Sequence, residues 1–252
     1  MSGFAAFAGK EAREILRTWR IWVLPGIVLF YALTGAVLAK FTPQLLETFA
    51  GDQLKGLVLP TPTYLDAYGQ WIKGLGTALF ALIIVYGSIV SSERKSGTAV
   101  LVLTKPVSRT AFVVAKAAVH SAFLAVLLVV GTLITWGLTA AIFGQAPGSA
   151  LWSSALVWLV FGVLFIALMT LLSVLIGSAA GAAGAGLGVY ALVSAVAIWK
   201  PLGTYSPAAL ASGPASLAAG KDVAVLWPVL TSLLLAVVLV ALAALAFRRK
   251  DL

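Results

Sequence analysis

From Ala117 to Trp199 the chain carries no Asp, Glu, Lys or Arg. A soluble domain would need charges on its surface within such a length, whereas a lipid bilayer selects against them. The hydrocarbon core is about 30 Å thick and a helix rises about 1.5 Å per residue, so one span needs roughly 20 apolar residues. The run is long enough for three. A turn cluster, Gly144-Gln145-Ala146-Pro147-Gly148-Ser149, and a Gly/Ala-rich stretch from Gly177 to Gly188 divide it, which places spans at 117–143, 151–176 and 181–199. Uncharged stretches between charged limits add spans at 21–39, 74–92 and 225–247. The expected fold is an all-α membrane protein with six transmembrane helices, a single membrane domain over residues 1–252. Composition agrees, with 62% hydrophobic and 10% charged residues where soluble domains have about 25% charged.

Net charge is +9, and in a membrane protein its meaning lies in which side of each span the cations occupy. One face collects Lys10, Arg13, Arg17 and Arg20, then Arg94, Lys95, Lys105, Arg109 and Lys116, then Arg248, Arg249 and Lys250. The other face has only Lys40, Lys55, Lys73, Lys200 and Lys221. Both termini are therefore expected in the cytoplasm of a multi-pass cell-membrane protein. An odd span count would put one basic terminal cluster outside. The charge pattern is accounted for by topology, and no nucleic-acid partner is expected. No continuous apolar core precedes Arg20, so no cleavable signal is expected. The absence of cysteine excludes disulfides, thiolate metal sites and Cys nucleophiles.

Two segments on the basic face are informative. In residues 4–19, Phe4, Ala8, Ala12, Ile15, Leu16 and Trp19 recur at three- and four-residue spacing, away from Lys10, Arg13, Glu14 and Arg17. That spacing predicts an amphipathic helix lying in the membrane interface; the plainer reading is a positive flank that sets topology. Residues 93–109 place charges around a short apolar middle, Ala99 to Leu103. Pro106 would end a short helix there, and Ser108 would cap a new helix starting at Arg109 and leading into the third span. Such a helix, parallel to the membrane between charged turns, suits docking onto a soluble partner; by spacing alone it also fits an ordinary solvated loop.

Here the chain resembles the ABC-2 type permeases of ABC transporters. The family pattern is Glu, a short polar gap, Gly-Thr, an apolar run, then Pro-Val/Ile-Ser-Arg. It is matched by Glu93, Gly97, Thr98, Leu101 to Leu103, Pro106, Val107, Ser108 and Arg109. The six-span order, the N-terminal helix (similar to the family's elbow helix), Tyr205-Ser206-Pro207 and the closing Phe247-Arg248-Arg249-Lys250-Asp251-Leu252 are similar to a branch that includes permeases linked to multicopper-enzyme maturation. The resemblance implies a permease that pairs with two copies of a soluble ABC ATPase and with a second permease, identical or similar, to form a path for ATP-driven export. Residues 93–109 would be the ATPase-coupling loop. Glu93 and Arg94 would form ion pairs with the ATPase, and Leu101 and Leu103 would fill a groove on it. This chain would bind no cofactor and catalyse nothing itself, ATP and Mg being held by the partner. Consistent with that, it contains no Gly-x-x-x-x-Gly-Lys-Ser/Thr run.

Gly177 with Gly181, and Gly184 with Gly188, form two Gly-x-x-x-Gly pairs that let membrane helices approach closely. They read either as a sliding contact between spans four and five or as static packing. His120, the sole histidine, has no visible carboxylate nearby and reads as an interfacial residue rather than a proton relay. The expected spans hold no Asp or Glu, which argues against proton-coupled transport and intramembrane hydrolysis. Those remain the alternatives, a non-ATP-driven transporter or a membrane-embedded enzyme, with a regulatory protein that holds an ATPase without moving cargo as a third. A path lined by apolar, aromatic and hydroxyl side chains favours an amphipathic or lipid-like cargo. Outside, residues 43–50 suggest a short helix, and Ser206-Pro207 a cap and first position of another.

Overall fold

Inside hydrocarbon a backbone finds no water, so each apolar stretch must satisfy its own N–H and C=O groups by closing into a helix. The computed structural model describes residues 3–18, 20–50, 60–96 and 108–250, and among them it is helical without strands. The elements are α1 (Gly3–Arg17), α2 (Arg20–Ala50), α3 (Tyr64–Tyr86), α4 (Ser91–Lys95), α5 (Arg109–Phe143), α6 (Gly148–Ile176), α7 (Ala179–Val196), α8 (Lys200–Tyr205), a 3₁₀ turn (Pro207–Ala211), α9 (Gly213–Ala218) and α10 (Leu226–Arg248). Among the described residues, six helical segments are long and apolar enough to cross a membrane, the number expected.

Several ends differ from the sequence reading. The first span does not stop at Ala39. It runs through Lys40 and Pro43 to Ala50 and absorbs the short helix expected at 43–50. The second begins ten residues before Gly74, because Asp66 accepts hydrogen bonds from the Thr63 backbone N–H (2.7 Å) and hydroxyl (3.0 Å) and so fixes the first turn. The third begins at Arg109 rather than Ala117. Ser108 caps it as expected, its hydroxyl accepting from the Ala111 N–H at 3.0 Å. Gly144 and Gly177 close α5 and α6 at φ 72° and 71°, a left-handed conformation costly to other residues. The Ser206 hydroxyl accepts from the Ala208 N–H at 3.2 Å and starts the 3₁₀ turn, as its Ser-Pro pair suggested.

Helices α3 and α6 are the most enclosed spans, and α7 and α10 the most exposed. The core is aromatic and aliphatic, with Tyr68, Trp71, Phe112, Phe165 and Phe247 fully buried. Buried hydroxyls bond back to their own helices, as from Thr170 to the Ile166 carbonyl (2.8 Å) and Ser232 to that of Pro228 (2.6 Å). One end of the molecule is tied by Tyr68, whose hydroxyl donates to the Pro147 carbonyl at 3.0 Å. The opposite end gathers α1, α4, the start of α5 and the end of α10.

Candidate functional site

At that end, α1 turns Phe7, Glu11 and Ile15 inward at four-residue spacing, while Phe4 and Leu16 stay exposed. The Phe7 ring stacks on Phe112 of α5 (centroids 5.0 Å), and Phe112 stacks on Phe247 of α10 (5.2 Å, nearly parallel). Three rings therefore join the first helix, the third span and the last helix.

Beside the rings lies a buried charge cluster. Lys116, fully buried, donates to Glu11 at 2.9 Å and to Glu93 at 2.7 Å. Lys10 bonds the same Glu93 oxygen at 2.9 Å, Glu11 at 3.0 Å, and also Glu14. Burial works against the Lys10 ammonium. Its bonds to Glu14 and Glu93 and the charge of Glu11 outweigh burial and hold its pKa above the ordinary lysine value. Glu11, Glu14 and Glu93 bring carboxylate oxygens within 4.8 Å of one another. The place a metal cation would take is filled by the Lys10 ammonium.

His120 lies one helical turn beyond Lys116. Its Nδ1 is 3.0 Å from the Tyr86 hydroxyl, its ring meets the Tyr86 ring edge-on, and its Nε2 is 4.0 Å from Glu11. The expectation that no carboxylate approaches this histidine is corrected: Glu11 comes from α1, more than a hundred residues away in sequence. Lys116 is likewise an internal ion-pair partner rather than a solvated loop cation. Sequence patterning gave no signal for either pairing.

The base of the 93–109 loop is pinned from three sides. The Ser173 hydroxyl of α6 accepts from the backbone N–H of Val90 (3.1 Å) and Ser91 (3.0 Å), which anchors the turn before α4. Glu93 is held by the two lysines. Arg109 donates to the carbonyls of Arg248 (3.0 Å) and Lys250 (2.7 Å), tying α5 to the end of α10. Of the expected coupling residues, Glu93, Ser108 and Arg109 fall in this junction. The Glu93 carboxylate is turned inward and engaged there by Lys10 and Lys116. Arg94 is described only as backbone within α4, and Gly97, Thr98, Leu101, Leu103, Pro106 and Val107 lie outside the described residues.

The glycine pairs divide differently from the expectation. Gly181 packs on its own turn, where a Cβ would meet the Ser178 hydroxyl at 2.6 Å, and Gly184 and Gly188 have nothing within 4 Å. The close approach of α7 to α6 and α3 belongs to Gly186, where a Cβ would lie 2.5 Å from the Met169 sulfur and 2.9 Å from Ile83. Between the end of α3 and the start of α7 it belongs to Gly87, whose Cβ would meet the Ala179 carbonyl at 2.5 Å.

The junction joins the interfacial end of the bundle into one unit whose members come from four distant segments. A family model described as ABC-2 family transporter protein matches residues 5–252. No curated protein matches the chain.

Proposed function

The chain belongs to the ABC-2 family of transporter proteins and is a multi-pass membrane permease component of an ABC transporter; we propose that it drives export with a separate soluble ATPase that binds ATP and Mg. Two permeases, identical or similar, pair with two ATPase subunits, and cargo passes at the permease interface. The open face of α7 at Gly184 and Gly188 supports a second membrane partner there. Both termini face the cytoplasm, on the distribution of Lys and Arg, and α1 lies in the membrane interface as an elbow helix. The 93–109 pattern and the closing tail support the branch that includes permeases linked to multicopper-enzyme maturation.

The observation that carries the mechanism is the burial of Glu93 between Lys116 and Lys10. Segment 97–107 is the ATPase contact, with Leu101 and Leu103 in a groove on the partner. ATP-driven closure of the ATPases moves that segment. Glu93 then passes the displacement inward to α5 through Lys116 and to α1 through Lys10. Glu93 is thus an internal link in the coupling path, and the docking contacts belong to the residues that follow it.

The test is co-expression with an ATPase encoded beside this chain. The two should purify in equal amounts, and the permease should stimulate ATP hydrolysis. Glu93→Gln should keep the ATPase bound but lower that stimulation, whereas Leu101→Asp with Leu103→Asp should lose the ATPase altogether. A permease that purifies alone, and whose vesicle transport of amphipathic dyes responds to a pH gradient but not to ATP, would sink the proposal.

A further inference from the structure

A groove of about 520 Å³ runs between α5, α6 and α10 on the outer surface of the bundle. Its wall is almost wholly apolar and made concave by small side chains, among them Ala118, Ala167, Ala241 and Ala244. Along α5 it extends from Thr110 to Ser121, about 16 Å at about 1.5 Å per residue. One leaflet of a roughly 30 Å hydrocarbon core has nearly that depth.

The mouth of the groove is basic. On α10 the stripe Val237, Ala241, Ala244 continues at helical spacing into Arg248, just beyond the groove. Arg109, adjacent to Thr110, fastens the carbonyls of Arg248 and Lys250. The Lys250 ammonium reaches the Leu175 carbonyl at the end of α6 (3.5 Å). The tail is thus drawn over the ends of all three groove helices. Arg248 and Arg249 are exposed there, and among the described residues their side chains enter no ion pair. Asp251 is the one acidic side chain that the sequence places between Asp222 and the end of the tail.

We propose that this groove is a binding site for an anionic phospholipid, with an acyl chain along the alanine-lined wall and the headgroup phosphate against Arg248 and Arg249. A leaflet-deep apolar slot that opens on unpaired guanidinium groups matches a lipid anion at both ends of the molecule. A soluble phosphate would use only the rim, and a zwitterionic lipid only the slot. Basic pockets between spans on the cytoplasmic side recognise anionic headgroups in this way. The site rests on the membrane-spanning reading and on the basic end facing the cytoplasmic leaflet; it needs neither the ATPase nor transport.

The purified full chain in detergent, offered equal amounts of phosphatidylglycerol and phosphatidylcholine with matched acyl chains, should retain the anionic lipid about 25-fold over the zwitterionic one by native mass spectrometry. Arg248→Gln with Arg249→Gln should erase that preference, each arginine contributing about fivefold. Ala118→Phe with Ala241→Phe should reduce retention of both lipids to background while thermal unfolding stays cooperative. Glycerol 3-phosphate should not compete. Equal retention of the two lipids by the unmodified chain, or an undiminished preference in the arginine variant, overturns the proposal. So does efficient Ala241→Cys cross-linking between two copies, which would assign the groove to a protein contact. Labelling of Ser2→Cys from outside intact cells would refute the cytoplasmic orientation separately, leaving the detergent result to judge the site.

Discussion

The buried ammonium of Lys116 bridges two carboxylates from different helices, Glu11 of α1 and Glu93 of α4, and Lys10 supplies the second positive charge between them. Removing one partner of a buried pair leaves the others charged and unsolvated, at a cost of about 3–5 kcal/mol. Lys116→Met is therefore expected to destabilise the protein by about that amount, read as a lower Tm in detergent. Adding Glu11→Gln and Glu93→Gln should recover much of the loss, since neutral amides no longer need the cation. If the triple variant is no more stable than Lys116→Met, the cluster is not the source of the effect. Lys10 adds a contribution at the alkaline end. Its folded pKa lies above the unfolded value, so its contribution is complete at neutral pH and is lost only as pH rises past 10.5 toward the folded value. The long-range pairs of this cluster were not legible in the sequence. Lys10, Lys116 and Glu93 read there as flanking charges, because helix periodicity reports neighbours three or four residues apart and these partners lie 23 to 105 apart.

At the level of elements, the number of spans was readable because lipid allows no substitute for a long uncharged helix. The span limits were less so. Treating Lys40 and Lys73 as boundaries shortened two helices, although a lysine can extend its stem along apolar surface and keep its ammonium at the edge. Lys40 does this over the Phe143 ring, 5.5 Å from its centroid. Ser108 was identifiable as a cap because that signal is local. Ser173 was not, since it caps a turn belonging to another span. Ser173→Ala should leave the Val90 and Ser91 N–H groups without that acceptor and cost about 1–3 kcal/mol; hydrogen exchange at those two amides should quicken while α3 stays protected. Gly186→Val should cost about 1–3 kcal/mol through overpacking against Met169 and Ile83. Gly184→Val should be nearly silent in a lone chain, which a pair of melting curves distinguishes.

For the whole molecule, alternation of six spans requires the start of α5 to share an end with the finishes of α6 and α10. The Arg109 and Lys250 contacts realise that arrangement. Because the chain has no cysteine, single-cysteine variants report topology without background. Gln145→Cys and Lys221→Cys should react with a membrane-impermeant maleimide on intact cells, and Ser2→Cys only after permeabilisation. Labelling of all three from outside would contradict the orientation proposed for the permease.

The stack of Phe7, Phe112 and Phe247 has a bearing on biosynthesis. Translation delivers these rings near its beginning, midpoint and end, so the first helix emerges long before its final aromatic support exists. A chain arrested after α7 should have its first five spans inserted and still leave residues 3–17 open to protease, whereas release of the full chain should shield them. Closure of the ring stack would then serve the cell as a mark that membrane insertion has reached completion.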